Sequence, residues 1–171
     1  MKLSRTETFL IKLQTPKEAH FFMWHEIEQE KRIAEHLFYV SLKYAKTADV
    51  ILNLISRWES MLDKCMELML RKAKKKREIK DIPIAPKARE LIIREVYGDE
   101  IIQKTMDLYA LFRKIPEMEK IREHEFRKNV ALRVINPVNN KEVEISMDKL
   151  KEWNALLENF ITYVRHIEKG K

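Results

Sequence analysis

The chain has 171 residues, which is long enough for one domain with its own hydrophobic core, so folding needs neither a disulfide nor a structural metal. Charged residues make up 36% of it, whereas glycine occurs twice and cysteine once, which excludes a disulfide framework and a glycine-rich phosphate loop. The formal net charge is +7 at pH 7. We expect a single helical domain over residues 1–171.

The same composition predicts the cellular compartment of the protein. The lone cysteine, the lack of a signal-like apolar core and the lack of a membrane-length apolar run together indicate a reducing cytoplasm and no membrane partner. Abundant Lys and Glu with few glycines favour a thermophilic source, because ion pairs tolerate heat.

Two helix starts are predicted in the first half of the chain, after an N-terminal segment over residues 1–14. Thr15 is an N-cap candidate followed by Pro16 at the first helical position and by Glu18 at the capping-box spacing. Thr47 is a second cap candidate. The pattern therefore predicts helices over 16–46 and 48–77, or one long kinked helix.

The second of these segments carries an apolar seam at helical spacing, which predicts a core-facing helix. The seam consists of Ile51, Ile55, Trp58, Leu62, Cys65 and Met69, flanked by Leu54, Met61 and Leu68. Its register continues to Lys72 and Lys76, so we expect the last two turns to project beyond the core into solvent. As an alternative, the seam from Ile51 to Met69 pairs with a second chain and makes a homo-oligomer.

The stretch "DIPIAP" ends this helix, because each residue before a proline is pushed out of the helical region. Three helices are predicted next: "PKARELIIREVYG" closed by Gly98, "DEIIQKTMDLYALFRKI" capped by Asp99, and "PEMEKIREHEFRKN" starting at Pro116.

The hydrophobic period then changes from helical to alternating over residues 130–146, which predicts a small β-hairpin with a turn at Asn139-Asn140. Ser146 or Asp148 caps a C-terminal helix over 147–168. Its predicted inner face is Leu150, Trp153, Leu157, Phe160, Ile161 and Val164. The predicted fold is mainly α: an antiparallel bundle of five to six helices with a hairpin before the last helix.

Several stretches between Tyr39 and Ile167 resemble a family of small uncharacterised archaeal helical proteins: "YVSLKYAKTADVILNLISRWESMLDKCMELM", "IPIAPKARELI", "LYALFRKI" and "REHEFRKNVALRV". More distantly, the chain resembles the HEPN class, which includes RNA-cleaving toxins and nucleotidyltransferase partners. Active HEPN ribonucleases carry an Arg and a His separated by four to six residues, whereas three residues separate Arg32 and His36. Asn129 stands where a basic catalyst would be expected, and Asn exchanges no proton near neutral pH. The resemblance implies a fold and leaves a HEPN-type ribonuclease as the least favoured function.

The residue pattern predicts no catalytic group, metal or cofactor. The five histidines lack paired Glu-x-x-His elements, and Arg32 lies between His25 and His36 on one helical face. Cys65 lies in the apolar seam, where desolvation raises the pKa of a thiol and suppresses its reactivity.

The concentrated chemical feature is the basic run Arg71–Lys80, which carries +6 of the +7 net charge and leaves +1 for the rest of the chain. Two or three cations would satisfy a helix C-terminus, each contributing roughly 0.3 to 1 kcal/mol. The excess predicts a non-catalytic nucleic-acid-binding protein, with RNA favoured; an acidic protein surface and a solvated helix end are the alternatives. The predicted binding residues are Arg71, Lys72, Lys74, Lys75, Lys76, Arg77 and Lys80, extended by Arg122, Arg127, Lys128 and Arg133 if the penultimate helix lies alongside.

Overall fold

Five long helices and three strands account for most of the chain that the computed structural model describes, namely Arg5 and residues 15–170. The predicted segment 1–14 therefore lies, apart from Arg5, outside the described residues. In chain order the elements are α1 (Pro16–His36), α2 (Ala48–Lys75), α3 (Pro86–Tyr97), α4 (Glu100–Lys114), β1 (Glu119–Glu123), β2 (Ala131–Ile135), β3 (Glu142–Ser146) and α5 (Met147–Lys169).

The first two helices are separate. The Thr15 side chain and the Glu18 backbone N–H form one half of a capping box at 3.2 Å, and the Glu18 carboxylate accepts the Thr15 N–H at 3.1 Å. After α1, a π-helical turn (Leu37–Ser41) and an α-helical turn (Leu42–Tyr44) continue the helical path. The backbone then becomes extended, and Thr47 caps α2 by accepting the Val50 N–H at 3.3 Å. Both predicted N-caps are confirmed.

The core is built around α2, whose predicted apolar seam is buried along its whole length. α2 packs against all four other helices and against β2. The rings of Trp58 and Phe112 stack with centroids 6.1 Å apart, and Trp153 meets Phe112 edge-on at 5.4 Å, so three helices share one aromatic cluster. The inner face predicted for α5 is likewise buried. Since the chain's own helices fill the seam, it offers no surface for pairing with a second copy.

The helix predicted to start at Pro116 is wrong. Residues Ile115–Glu117 form one 3-10 turn, and the chain then enters β1, which pairs antiparallel with β2 from Glu119 opposite Ile135 to Glu123 opposite Ala131. β2 is the central strand, so both of its edges need hydrogen-bonding partners. The Glu, Lys and Arg residues of β1 favour a helix, but such propensities are small, and pairing with the buried β2 overrides them.

The predicted hairpin is confirmed as β2–β3, with Ala131 opposite Ser146 and Ile135 opposite Glu142. Asn140 closes the turn at φ 56°, a conformation that asparagine tolerates. The mainly helical fold is therefore confirmed, whereas the sheet has three strands instead of two. None of the described helices combines the length and hydropathy that a membrane crossing requires.

Leu62 has no solvent exposure in the centre of α2. Leu62→Ala should lower the free energy of unfolding by about 2 to 5 kcal/mol, because it removes buried methyl groups and leaves a cavity. Urea denaturation followed by circular dichroism measures the change. Leu91→Ala is the matched control, because that side chain is 56% exposed and its loss should shift the midpoint little. Equal midpoints for the two variants would contradict the core described above.

Candidate nucleic-acid interface

The basic run does not continue as a helix to its end. The Glu78 N–H donates to the Ala73 carbonyl at 2.9 Å and the Arg77 N–H donates to the Lys74 carbonyl at 3.0 Å, which are the two bonds of a Schellman C-cap. Arg77 adopts the left-handed conformation at φ 61° that this motif requires. Glycine is the usual residue there because it lacks the Cβ that makes this conformation costly. The chain therefore turns sharply in the middle of the run.

The inner side of this helix end is tied to its neighbours. Leu70 and Ala73 are fully buried, so the core extends one turn further than the sequence predicts. The Lys72 ammonium donates to the carbonyls of Ile167 and Gly170 at the end of α5, and the Tyr97 hydroxyl donates to the Met69 carbonyl at 2.7 Å. The prediction that the last two turns of α2 project into solvent is wrong for this inner side, because its residues Leu70 and Ala73 are buried in the core.

The outer side carries cations that no carboxylate neutralises. Arg71 is paired, since its Nε lies 2.8 Å from Glu67 Oε1. Five further bases are exposed and form no salt bridge with any described residue; they are Lys74, Lys75, Lys76, Arg77 and Lys80.

Among the described arginines of this protein, a side chain without a carboxylate partner is unusual. Within residues 15–170, every arginine except Arg77 and Arg127 has a carboxylate oxygen within 4.0 Å. Arginine binds carboxylates readily through its planar fork of donors. The two that have none lie in the basic run and between β1 and β2.

Lys72 lies between the core and the exposed bases. Burial lowers the pKa of its ammonium; Glu168 opposes this shift, and the positive charges of Lys76 and Lys75 add smaller contributions to it. The shift therefore comes mainly from desolvation.

A cavity of about 670 Å³ adjoins the same end, between the first turn of α1, the last turns of α2 and the end of α5. Among the described residues that line it, the one carboxylate is Glu168, which is already engaged by His20 Nε2 at 2.5 Å and by the Trp24 indole N–H at 3.2 Å. The basic side chains that line it are Lys17, His20, Arg71, Lys72 and Lys75. Lys17 and His20 were not predicted for the site, because they are remote from the run in sequence and only the packing of α1 on α2 brings them near.

Arg122, Arg127, Lys128 and Arg133 do not extend this surface. Arg122 Nη2 lies 2.8 Å from Asp49 Oδ1, in the first turn of α2, whereas the basic run lies at the other end of that helix. At a rise of about 1.5 Å per residue, the 25 residues from Asp49 to Lys74 span about 38 Å. The expected continuity is wrong, because the residues that carry these bases form two strands, β1 and β2, and the loop between them instead of a helix alongside α2.

These four bases also differ among themselves. Arg133 lies between Glu123 and Glu142, at 3.1 and 3.5 Å, and Arg122 is paired with Asp49. The positive charge of each is therefore already neutralised by carboxylates. Arg127 and Lys128 are exposed and form no salt bridge with a described residue.

The described residues offer neither a reactive thiol nor a cluster of metal ligands. Cys65 is fully buried, and burial raises the pKa of its thiol, which keeps the sulfur protonated. In residue 5 and residues 15–170, no three His, Cys, Asp or Glu side chains converge to hold a metal ion.

The chain matches no protein-family model, no curated protein and no solved structure. The resemblance to archaeal helical proteins and to the HEPN class stays a prediction.

Replacing Arg77 with glycine should stabilise the fold. Relief of the left-handed strain, about 1 to 2 kcal/mol, is partly offset by the roughly 0.5 to 1 kcal/mol that glycine costs through its flexibility when unfolded. We expect Arg77→Gly to raise the free energy of unfolding by up to about 1.5 kcal/mol in chemical denaturation. Lys76→Gly is the control: that residue is helical at φ −78°, so glycine there should destabilise. Destabilisation by Arg77→Gly would show that the Arg77 side chain contributes to folding.

Proposed function

We propose that the protein binds nucleic acid, with RNA favoured, through phosphate contacts made by the C-terminal end of α2. The observation that carries the proposal is the set of five exposed, unpaired cations at a helix end whose arginine occupies a glycine-type position. Contacts with the core do not use these five side chains, since the inner side of the same helix end is formed by the buried Leu70 and Ala73 and by Lys72, whose ammonium donates to α5.

The geometry suits phosphates more than base edges. A helix that reads bases in a major groove has to project an exposed face into it. Here α2 stops at its Schellman turn, and Lys72 ties its inner side to α5. Flexible lysines around a helix end of this kind contact backbone phosphates, and such contacts carry no information about base sequence. We therefore expect binding with little sequence preference.

An acidic protein surface is the second candidate. The same unpaired cations would attract carboxylates as well as phosphates, and Ile84, in the connector that follows the run, is 83% exposed and could add an apolar contact. A HEPN-type ribonuclease is less favoured, since Arg32 lies 3.9 Å from Glu28 and precedes His36 by too short a spacer.

Replacing Lys74, Lys75, Lys76 and Arg77 together by Gln should weaken RNA binding steeply and leave the fold intact, because these side chains are exposed. Each lost phosphate contact removes a released counterion, so the slope of log affinity against log salt should flatten by roughly 0.7 per contact on single strands. Fluorescence polarization of a labelled RNA across a salt series measures both effects.

The matched control removes the same charge from elsewhere, by changing Lys104, Lys114, Lys141 and Lys151 to Gln; all four are exposed and lie on α4, on α5 or between β2 and β3, outside the basic run and outside residues 124–129. The control variant should keep most of the affinity for RNA. If both variants lose affinity equally, net charge rather than a site governs binding. If the wild type binds no nucleic acid at low salt, the proposal is wrong and the acidic protein partner takes its place.

A further inference from the structure

The opposite end of α2 carries a loop, residues 124–129, that is fixed by specific bonds. The Glu125 carboxylate accepts the Ala48 backbone N–H at 2.9 Å, at the positive end of the helix dipole, and also receives Arg122 at 3.3 Å. One residue later, the Phe126 N–H donates to the Lys46 carbonyl at 2.7 Å. The loop is therefore anchored on the break between α1 and α2.

This anchored loop holds an aromatic ring in solvent at a steric cost. Phe126 is 76% exposed and adopts the left-handed conformation at φ 65°, and His124 in the same loop has φ 52°. A bulky residue at positive φ is an outlier in proteins, and strain of this kind concentrates at functional sites. The exposed ring gains no burial that would offset the strain, so folding does not explain its presence here.

The surroundings of this ring are basic and contain a second exposed aromatic ring. Lys43, Arg127 and Lys128 are exposed and form no salt bridge with a described residue. Tyr44, on the segment that Phe126 contacts through its backbone, is 79% exposed, and the Lys43 ammonium lies 6.0 Å from the centre of its ring. The nearby carboxylates of Asp49 and Glu125 are both engaged by Arg122.

We propose that Phe126 is a stacking platform for an unpaired base of a single-stranded nucleic acid, whose phosphates Lys43, Arg127 and Lys128 contact. Exposed aromatic rings interleaved with unpaired cations are the combination by which proteins hold single strands, because every base has a face that can stack. A duplex offers no such face along its length, since its bases are stacked on one another. This inference rests on the proposed function and narrows its substrate class to single strands.

Two sites at the ends of α2, about 38 Å apart, define the length of the probe. At about 3.4 Å per stacked nucleotide, a labelled oligouridine of about 20 nucleotides is long enough to reach both. An oligoadenine–oligouridine duplex of the same length provides the comparison, and affinities for both are measured by polarization at several salt concentrations.

Phe126→Ala should lower the affinity for oligouridine by about five-fold or more and leave the affinity for the duplex unchanged. The slope of log affinity against log salt should stay the same, because no phosphate contact is removed. Phe126→Trp should restore binding, since it keeps a stacking face. Phe21→Ala, which removes an aromatic ring of similar exposure (74%) from α1, should bind as the wild type does. Thermal unfolding verifies that every variant is folded.

The outcomes separate this inference from the proposed function. If Phe126→Ala binds oligouridine as tightly as the wild type, or loses affinity for strand and duplex alike, the stacking platform is wrong, while sensitivity to the four Gln substitutions at 74–77 would still uphold the proposed function. If Phe126→Ala is selectively weakened but those substitutions have no effect, the platform stands and the site at the other end fails. If the wild type binds neither probe, both fail and Phe126 belongs to a contact with another protein.

Discussion

Burial of the apolar seam of α2 is the constraint on which the rest of the structure depends. Every other helix covers part of that seam, and β2 covers another part, so the position of each element is set by the face of α2 that it seals. A helix of 28 residues is about 42 Å long, so the two candidate sites at its ends lie far apart.

Salt bridges neutralise the arginines on the flanks of the described structure, whereas Arg77 and Arg127, near the two ends of α2, have no carboxylate partner among the described residues. The flanking arginines form pairs and small networks, such as Arg94 with Glu90 and Asp107 at 2.9 and 2.8 Å. Individually such surface pairs contribute little stability, but they cancel the field that a ligand would feel. At the ends of α2, Glu67 is engaged by Arg71 and Arg89, and Glu125 by the helix N-terminus. Glu78 and Asp81 are exposed within and after the basic run and form no salt bridge with a described residue.

Backbone strain occurs at the same two ends. Arg77 and Phe126 both have positive φ, both are exposed, and neither side chain recovers the steric cost through packing. Asn140 has the same conformation in the β2–β3 turn, but asparagine tolerates it and the turn needs it. An arginine and a phenylalanine held in this way are consistent with surfaces shaped for a ligand.

The sequence by itself determined the helices whose signals are local: the caps at Thr15 and Thr47, the seam of α2, the Gly98 stop and the β2–β3 hairpin all depend on residues within a few positions of one another. It also located the basic run, since seven bases in ten residues are visible without any fold. Only the tertiary structure decided that Glu119–Glu123 is a strand, because the free edge of β2 lies elsewhere in the chain. Likewise, the roles of Lys17, His20, Lys43 and Phe126 depend on the packing of α1 and the 124–129 loop against the two ends of α2. Local patterns fix what a segment prefers, whereas the partners that share its buried surface and its charges are set by contacts between residues far apart in sequence.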